Sequence, residues 1–319
     1  VSAADAAAFY VGNTNVTAAQ EGTTYWLKDE GASPVTEFTQ TGATAGNRLF
    51  SVTYDAAEGY TLTVDGLDVT TYGVYSNGST YQGGILCMSD LDILINDGGL
   101  SVTETAVGVS GIYANGALAI TGAGDLTVSS ADIVVNTALT CDVDGEVALS
   151  GTGAVPTVIG NLALTAGGGV TVSALGSNPA IVGNLTVDAY DDVTLENKGT
   201  GSIVTGTAEI TSQNGGITGS SQGNVPTFLG ATEMTAKGPI NLTSENHMVF
   251  TGSVDLTSEN DSILVSGSGS NPTIAATATV NAYGDITILN MNGMAMNGAA
   301  NLTSTMGGVT VTSASSAPT

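Results

Sequence analysis

The chain has 319 residues, with 29 acidic and 4 basic side chains, and its formal net charge is −25. A surface of that sign repels nucleic acid and anionic membranes, so neither is an expected partner. No run reaches 18 apolar residues, which excludes a membrane-spanning helix. Val1 in place of Met agrees with a secreted chain that has lost a leader, or with a trimmed one, and we expect an extracellular or cell-surface location.

Residues 1–57 precede the repeats and are predicted to form an N-terminal cap that also takes part in assembly. They hold the only tryptophan, Trp26, and two of the four cations, Lys28 and Arg48. The segment is more aromatic than the rest and shares none of the repeated positions described below. Such a segment is typical of a cap, because the apolar interior of a first repeat must be covered.

Residues 58–319 are predicted to form a parallel β-helix. The rows NLALTAGGGVTVSALGSNPAIVG and NLTVDAYDDVTLENKGTGSIVTG begin at Asn161 and Asn184. Each has three short aliphatic runs separated by Gly, Asn, Ser or Pro, and a period near 23 residues with this pattern is typical of a solenoid. Strands this short bury a face only when rows stack. We predict an all-β fold, a single-stranded parallel β-helix (β-solenoid) of about eleven rungs.

Two apolar positions recur in all eleven rows. The first comprises Val64, Ile95, Ile120, Cys141, Leu164, Val187, Ile210, Met234, Leu256, Val280 and Leu302. The second comprises Leu67, Leu100, Leu126, Val147, Val170, Val193, Ile217, Ile240, Ile263, Ile286 and Val309. The residue after the first position is always Asp, Asn or Thr, which predicts a bend held by side-chain hydrogen bonds.

Four tyrosines cluster in the long loops of the first two rows: Tyr72, Tyr75, Tyr81 and Tyr113. One interpretation is an aromatic platform for sugar rings. The other is packing against the cap or ordinary loop decoration. The two cysteines are predicted to lie about three rows apart, roughly 14 Å, which is too far for a disulfide.

Two acidic sets are candidate metal sites. Glu209, Glu233 and Asp255 occupy the same outward position in three successive rows, where like charges about 4.8 Å apart repel. Ca²⁺ would relieve that repulsion, since it prefers carboxylate oxygens. The alternative is that the side chains spread into water, where salt screens them.

The second acidic set is Asp188, Asp191 and Asp192 in the run VDAYDDV. It either binds Ca²⁺ or consists of ordinary turn residues. No cofactor is expected otherwise.

The rows resemble the right-handed parallel β-helix (pectin-lyase-like) superfamily, which includes pectate lyases, polygalacturonases, phage tailspikes and bacterial adhesins. The run GIYANGALAITGAGDLTVSS at residues 111–130 resembles repeats of bacterial cell-surface adhesins and carbohydrate-binding β-helix proteins. The resemblance covers residues 58–319 and implies the fold, whereas function depends on the site.

We expect no enzymatic activity. Lyases of that superfamily need a basic group beside Ca²⁺, and the only cations of the coil, Lys198 and Lys237, lie beside no matched Asp set. Hydrolases need paired carboxylates with aromatic or basic subsites, which the acidic column lacks. The sole histidine, His247, has no Ser or Asp partner at a sequence spacing that indicates a catalytic site.

Two functional hypotheses remain. The last row carries no charged cap, and an uncovered solenoid end exposes apolar interior and strand edges. The first hypothesis is therefore an extracellular structural protein whose copies join head to tail into a surface filament or layer. The alternative is a cell-surface adhesin or carbohydrate-binding module that binds its ligand through the tyrosines, either with or without Ca²⁺.

Overall fold

The structure is a computed structural model that describes residues 8–12, 14–17, 22–28, 38–41, 50–71, 83–153, 156–176 and 178–314. These residues form strands and turns without a helix, wound as a parallel β-solenoid of the right-handed type with about ten turns of about 23 residues. The predicted fold class is confirmed. Within the described ranges, no helix is long and apolar enough to cross a membrane.

The chain divides into two units, residues 1–153 with 158–160 and residues 154–157 with 161–319. The described strands of the first unit are β1 (Phe9–Val11), β2 (Thr14–Asn15), β3 (Gly22–Lys28), β4 (Phe38–Thr41), β5 (Phe50–Asp55), β6 (Gly59–Val64), β7 (Leu67–Thr71), β8 (Gly83–Cys87), β9 (Leu91–Ile95), β10 (Leu100–Glu104), β11 (Ser110–Ala114), β12 (Leu118–Gly122), β13 (Leu126–Ser130), β14 (Leu139–Val143), β15 (Val147–Gly151) and β16 (Val158–Ile159). Successive rows pair in parallel, with β6, β9, β12 and β14 on one side of the coil and β7, β10, β13 and β15 on the next. Side chains alternate between a buried and a more exposed face along these strands, as a half-buried strand requires.

Residues of the predicted cap extend the first row with antiparallel strands. β5 pairs with β6, β3 pairs with β5, and β4 pairs with β3. β1 pairs antiparallel with β8, which places the buried Phe9 ring 4.9 Å from the ring of Tyr60. The predicted boundary between residues 57 and 58 falls in the turn between β5 and β6. These strands thus continue the sheet of β6 beyond the first row, and the Phe9 and Tyr60 rings are buried in the first unit.

The second recurring position is confirmed in the first unit, where Leu67, Leu100, Leu126 and Val147 lie in register. The alignment predicted for the first recurring position is wrong by two residues in the first two rows. Ile120 pairs with Ile93, whereas Val64 and Ile95 are in register with Gly122.

The error has a simple physical reason. Tyr60, Leu62 and Val64 alternate along β6, and a shift of two residues leaves the same side chains facing inward. The buried face was therefore predicted correctly, while the register was not.

The strands of the second unit are β17 (Leu162–Ala166), β18 (Val170–Ala174), β19 (Ile181–Val182), β20 (Leu185–Ala189), β21 (Val193–Asn197), β22 (Ala208–Ser212), β23 (Ile217–Ser221), β24 (Thr232–Ala236), β25 (Ile240–Ser244), β26 (Val254–Ser258), β27 (Ile263–Gly267), β28 (Ala278–Ala282), β29 (Ile286–Asn290), β30 (Ala300–Ser304) and β31 (Val309–Ser313). Here both recurring positions are confirmed through seven rows, from Leu164 to Leu302 and from Val170 to Val309. On a third side, Phe228 and Phe250 stack with ring centroids 5.4 Å apart inside the coil.

The predicted bend after the first position is wrong from the third row onward. Thr121, Asp142 and Asp188 are the fourth residues of their strands, with side chains on the outer face. The small polar residues at this position therefore belong to the outward face of a strand. The turn follows one or two residues later.

Candidate functional site

The last described row of the second unit exposes positions that are buried in the rows before it. Val309 and Val311 are 45% and 38% exposed, whereas Ile286 and Ile288, their partners one row earlier, are both fully buried. Among the described residues, β30 and β31 each pair on one side only, with β28 and β29 respectively. Within the part of the chain that the structure describes, this row thus presents apolar side chains together with two strand edges that pair on one side only.

The same end of the second unit is uncharged. No Asp, Glu, Lys, Arg or His occurs from Ile286 to Thr319. With 29 acidic residues in 319, about one in eleven, about three would be expected in those 34 positions. The stretch also includes Met291 and Met306, which are 61% and 72% exposed. Charged side chains on an edge strand normally prevent pairing with another chain, and β30 and β31 carry none.

The first unit also has edge strands among its described residues. β4 pairs only with β3, and β7 pairs only with β10. Neighbouring strands lie about 4.8 Å apart, so β4 stands three spacings, about 14 Å, beyond β6. The segment of β4, FTQT, is uncharged.

The predicted acidic column is present in the second unit. Glu209 pairs with Glu233, and Glu233 pairs with Asp255, on β22, β24 and β26. All three side chains are exposed and line a shallow groove of about 400 Å³, together with small residues of the same rows. In the part of the chain that the structure describes, no three His, Cys, Asp or Glu side chains are arranged to hold a metal ion.

In the second acidic set, two of the three carboxylates are engaged with the protein itself. Asp188 Oδ1 accepts a hydrogen bond of 2.8 Å from the Gln213 side chain, and Asp192 Oδ1 accepts one of 2.7 Å from the backbone N–H of Gly216. Asp191 is exposed in the turn between β20 and β21. The structure thus brings the three residues together at one turn, where Asp188 and Asp192 join their row to the next.

Of the four tyrosines proposed as a sugar platform, Tyr113 lies in β11 and is only 7% exposed. Tyr72, Tyr75 and Tyr81 lie outside the described residues. The most exposed tyrosines within the described ranges are Tyr190 and Tyr283, at 51% and 46%. Both directly follow strands on the same side of the second unit, β20 and β28, four rows apart.

The basic residues of the coil and its histidine make local contacts. Lys198 forms an exposed ion pair of 3.0 Å with Glu196, and Lys237 Nζ donates to Asn214 Oδ1 at 3.1 Å.

His247 lies half-buried with its Nε2 2.8 Å from the amide nitrogen of Asn271, so Nε2 accepts from that amide and the ring is neutral. Its Nδ1 is buried without a hydrogen-bond partner. Burial lowers the pKa of the ring below its usual value.

Cys87 and Cys141 are both buried and free. Burial raises the pKa of both thiols, that of Cys141 to about 12, with a smaller contribution from the Asp142 carboxylate. A thiol held in its protonated form is a poor nucleophile, so these cysteines serve as core residues.

Comparison with known proteins gives no match to the chain, whether with family models, with curated proteins or with solved structures. The candidate site therefore rests on its own geometry.

Proposed function

We propose that the protein is a non-enzymatic, extracellular structural subunit whose copies associate end to end, head to tail, into a surface filament or layer. The observation that supports this most is the last described row of the second unit. Its two edge strands, β30 and β31, are uncharged, and β31 carries the partly exposed Val309 and Val311. Strand addition at such an edge supplies backbone hydrogen bonds, and covering the valines adds hydrophobic free energy.

The charge distribution supports the same proposal. Copies that each carry −25 repel one another wherever their acidic surfaces approach. An end with no charged side chain from Ile286 onward is where a second copy approaches at the least electrostatic cost. Added salt shortens the range of the remaining repulsion, so assembly is expected to increase between low and physiological ionic strength.

The proposal is tested by the size of the particles that the purified chain forms. Electron microscopy and analytical ultracentrifugation are expected to show linear assemblies whose length increases with protein concentration. Val311→Lys places a charge on the inner face of an edge strand, which opposes pairing, and is expected to leave single copies. The matched control is Thr218→Lys on β23, an exposed position inside the sheet.

Assembly of the Val311→Lys variant to the wild-type extent would overturn the proposal, and so would single copies of the wild type at every concentration and salt level. A further segment of chain that covers β30 and β31 within the same molecule would overturn it as well. Limited proteolysis and hydrogen exchange at residues 300–313 detect such a covering segment.

A second candidate, a carbohydrate-binding module of a cell-surface adhesin, is supported by the acidic groove and by the exposed rings of Tyr190 and Tyr283. Aromatic faces pack against sugars, and carboxylates bind sugar hydroxyls either directly or through Ca²⁺. A glycan array with and without EDTA tests this function, and absence of binding in both conditions removes it. Kinship with the right-handed parallel β-helix superfamily is likewise a proposal, which the parallel coil supports.

A further inference from the structure

We infer that Asn214 is a site of spontaneous covalent modification, at which the side-chain amide becomes a carboxylate through a cyclic imide formed with Gly215. The inference is independent of the proposed assembly. Asn-Gly steps occur in the sequence at Asn77, Asn115, Asn214, Asn292 and Asn297. The first of these lies outside the described residues. The structure gives the other four different surroundings, and those of Asn214 favour the reaction most.

The reaction is an intramolecular acyl transfer between neighbouring groups. The backbone nitrogen of Gly215 loses its proton to solvent hydroxide and attacks Cγ of Asn214, so that a new N–Cγ bond closes a succinimide ring. The Cγ–Nδ2 bond then breaks, and Nδ2 takes up a proton and leaves as ammonia. Water opens the ring at either carbonyl, which gives aspartate or isoaspartate.

The backbone nitrogen of Gly215 is available for this attack. Asn214 is exposed in the turn between β22 and β23. Within the described part of the chain the N–H of Gly215 donates no hydrogen bond, whereas the next one, of Gly216, donates to Asp192 Oδ1 at 2.7 Å. Glycine also lacks the Cβ that would crowd the approach of its nitrogen to Cγ. The nucleophile is therefore both unengaged and unhindered.

A cation lies beside the amide that is attacked. Lys237 Nζ, from the next row, donates to Asn214 Oδ1 at 3.1 Å. Attack at Cγ turns that oxygen into an oxyanion, and a positive charge held beside a developing oxyanion lowers the barrier. The contact is exposed, so its effect on the rate is about two- to fivefold, as for other exposed charge contacts.

The step at Asn292 has the opposite arrangement. The Asn292 amide donates to the carbonyl oxygen of Ser268, and the N–H of the buried Gly293 donates to Asn290 Oδ1 at 2.7 Å. Both reacting groups are engaged, so cyclisation would have to break both hydrogen bonds. We expect this step to be the slowest of the four.

Asn115 and Asn297 are intermediate cases. Both are exposed, and the N–H of the glycine that follows each donates no hydrogen bond within the described ranges. Among those residues, Lys237 is the cation that donates to an Asn-Gly amide, and it reaches only Asn214. These two steps therefore show the rate expected for an open turn without a neighbouring cation.

The two products differ in their effect on the turn. In aspartate, the new carboxylate faces Lys237, and a hydrogen bond becomes an ion pair. In isoaspartate, the main chain is lengthened by a methylene group. The Asn214 N–H donates to the Tyr190 carbonyl at 2.7 Å, and the Gly215 carbonyl accepts from the Gly238 N–H at 2.7 Å. A lengthened chain cannot keep both bonds unchanged, so isoaspartate is expected to loosen the contact between rows.

Timed incubation of the intact folded chain at neutral and mildly alkaline pH tests the inference. Proteolysis and mass spectrometry then measure the replacement of NH₂ by OH at each asparagine. Asn214 is expected to convert first and Asn292 last. Lys237→Gln is expected to slow conversion at Asn214 about two- to fivefold and to leave Asn115 unchanged. Lys198→Gln is the matched control, since it removes the other cation of the coil, and is expected to change neither rate.

The chain unfolded in guanidinium gives the rates that the sequence alone dictates, and there the four steps are expected to convert similarly. Conversion of Asn214 in the folded chain no faster than that of Asn115 would overturn the inference, because the turn would then hold the amide away from Gly215. Equal slowing by Lys237→Gln and Lys198→Gln would overturn it too, since overall charge and not the Lys237 contact would then set the rate.

Discussion

The carboxylate of Asp192 accepts a hydrogen bond of 2.7 Å from the backbone N–H of Gly216, one row further along the chain. The same relationship joins Asp285 to Gly308 at 2.7 Å. These amides lie in turns beside the strands, and the acidic side chain supplies the acceptor that each needs. A residue type that resembles a metal ligand in the sequence thus holds neighbouring rows together.

Asp192→Ala is expected to reduce the free energy of unfolding by about 1.5–3 kcal/mol, the range for a hydrogen bond to a charged group. Asp191→Ala is the matched control, since it removes the same charge from the adjacent exposed residue and is expected to change stability by less than about 0.5 kcal/mol. Urea denaturation of the two variants and the wild type measures both values. Equal losses in the two variants would show that the bond to Gly216 contributes nothing.

The sequence predicted the coil well because a solenoid repeats one physical requirement in every row. Each inward position must be apolar, so Leu164, Val187 and Ile210 could be aligned by spacing alone. The register of Val64 and Ile95 could not be, because β6 and β9 each offer three alternating apolar side chains and spacing does not distinguish among them. The antiparallel extension by β5, β3 and β4 has no repeat from which to predict it.

The candidate site was only partly predictable. The absence of charge in the last row was visible in the sequence, whereas the exposure of Val309 and Val311 required the structure, since the same residue type is fully buried at Val265 in an earlier row. The role of Asp192 was likewise not predictable. A carboxylate that accepts from the next row and one that binds an ion have the same sequence pattern.

Glu233→Gln is expected to stabilise the protein at low salt. Glu233 lies between Glu209 and Asp255, so the substitution removes its repulsion with both carboxylates at once. The gain is roughly 0.2–1 kcal/mol, the range for a cross-strand pair, and it is expected to vanish at 1 M salt. Thermal unfolding at low and high salt measures it.

Asp92→Asn is the control for this effect, since the cross-strand neighbours of Asp92 are the uncharged Thr61 and Ala119. The same pair of proteins decides whether the acidic column binds Ca²⁺. If it does, Ca²⁺ raises the melting temperature of the wild type and of Asp92→Asn, but has little effect on Glu233→Gln. An equal response in all three proteins, or none, would exclude this column as a Ca²⁺ site.

His247 is expected to make the protein less stable as the pH falls. Burial lowers the pKa of the folded ring, so above the unfolded pKa of about 6.5 the ring is neutral in both states and favours neither. Below that value the unfolded chain binds the proton first, and stability is lost until the folded ring also titrates. His247→Gln is expected to remove this part of the pH dependence, seen as a smaller loss of unfolding free energy from pH 7.5 to 5.5. Parallel curves for the two proteins would contradict this.

Gly122, which pairs with Ile95 in the row before, is expected to tolerate a side chain poorly. Its φ is +135°, and a Cβ there would overlap the carbonyl oxygen of Ile95, its partner in the row before. Gly108 is the control, with φ of +86° but nothing within 4 Å of the added carbon. Gly108→Ala is expected to cost about 1–2 kcal/mol from backbone strain alone. Gly122→Ala should cost about 2–5 kcal/mol, since steric overlap adds to the strain. Denaturant unfolding measures both, and equal costs would show that the overlap with Ile95 relaxes freely.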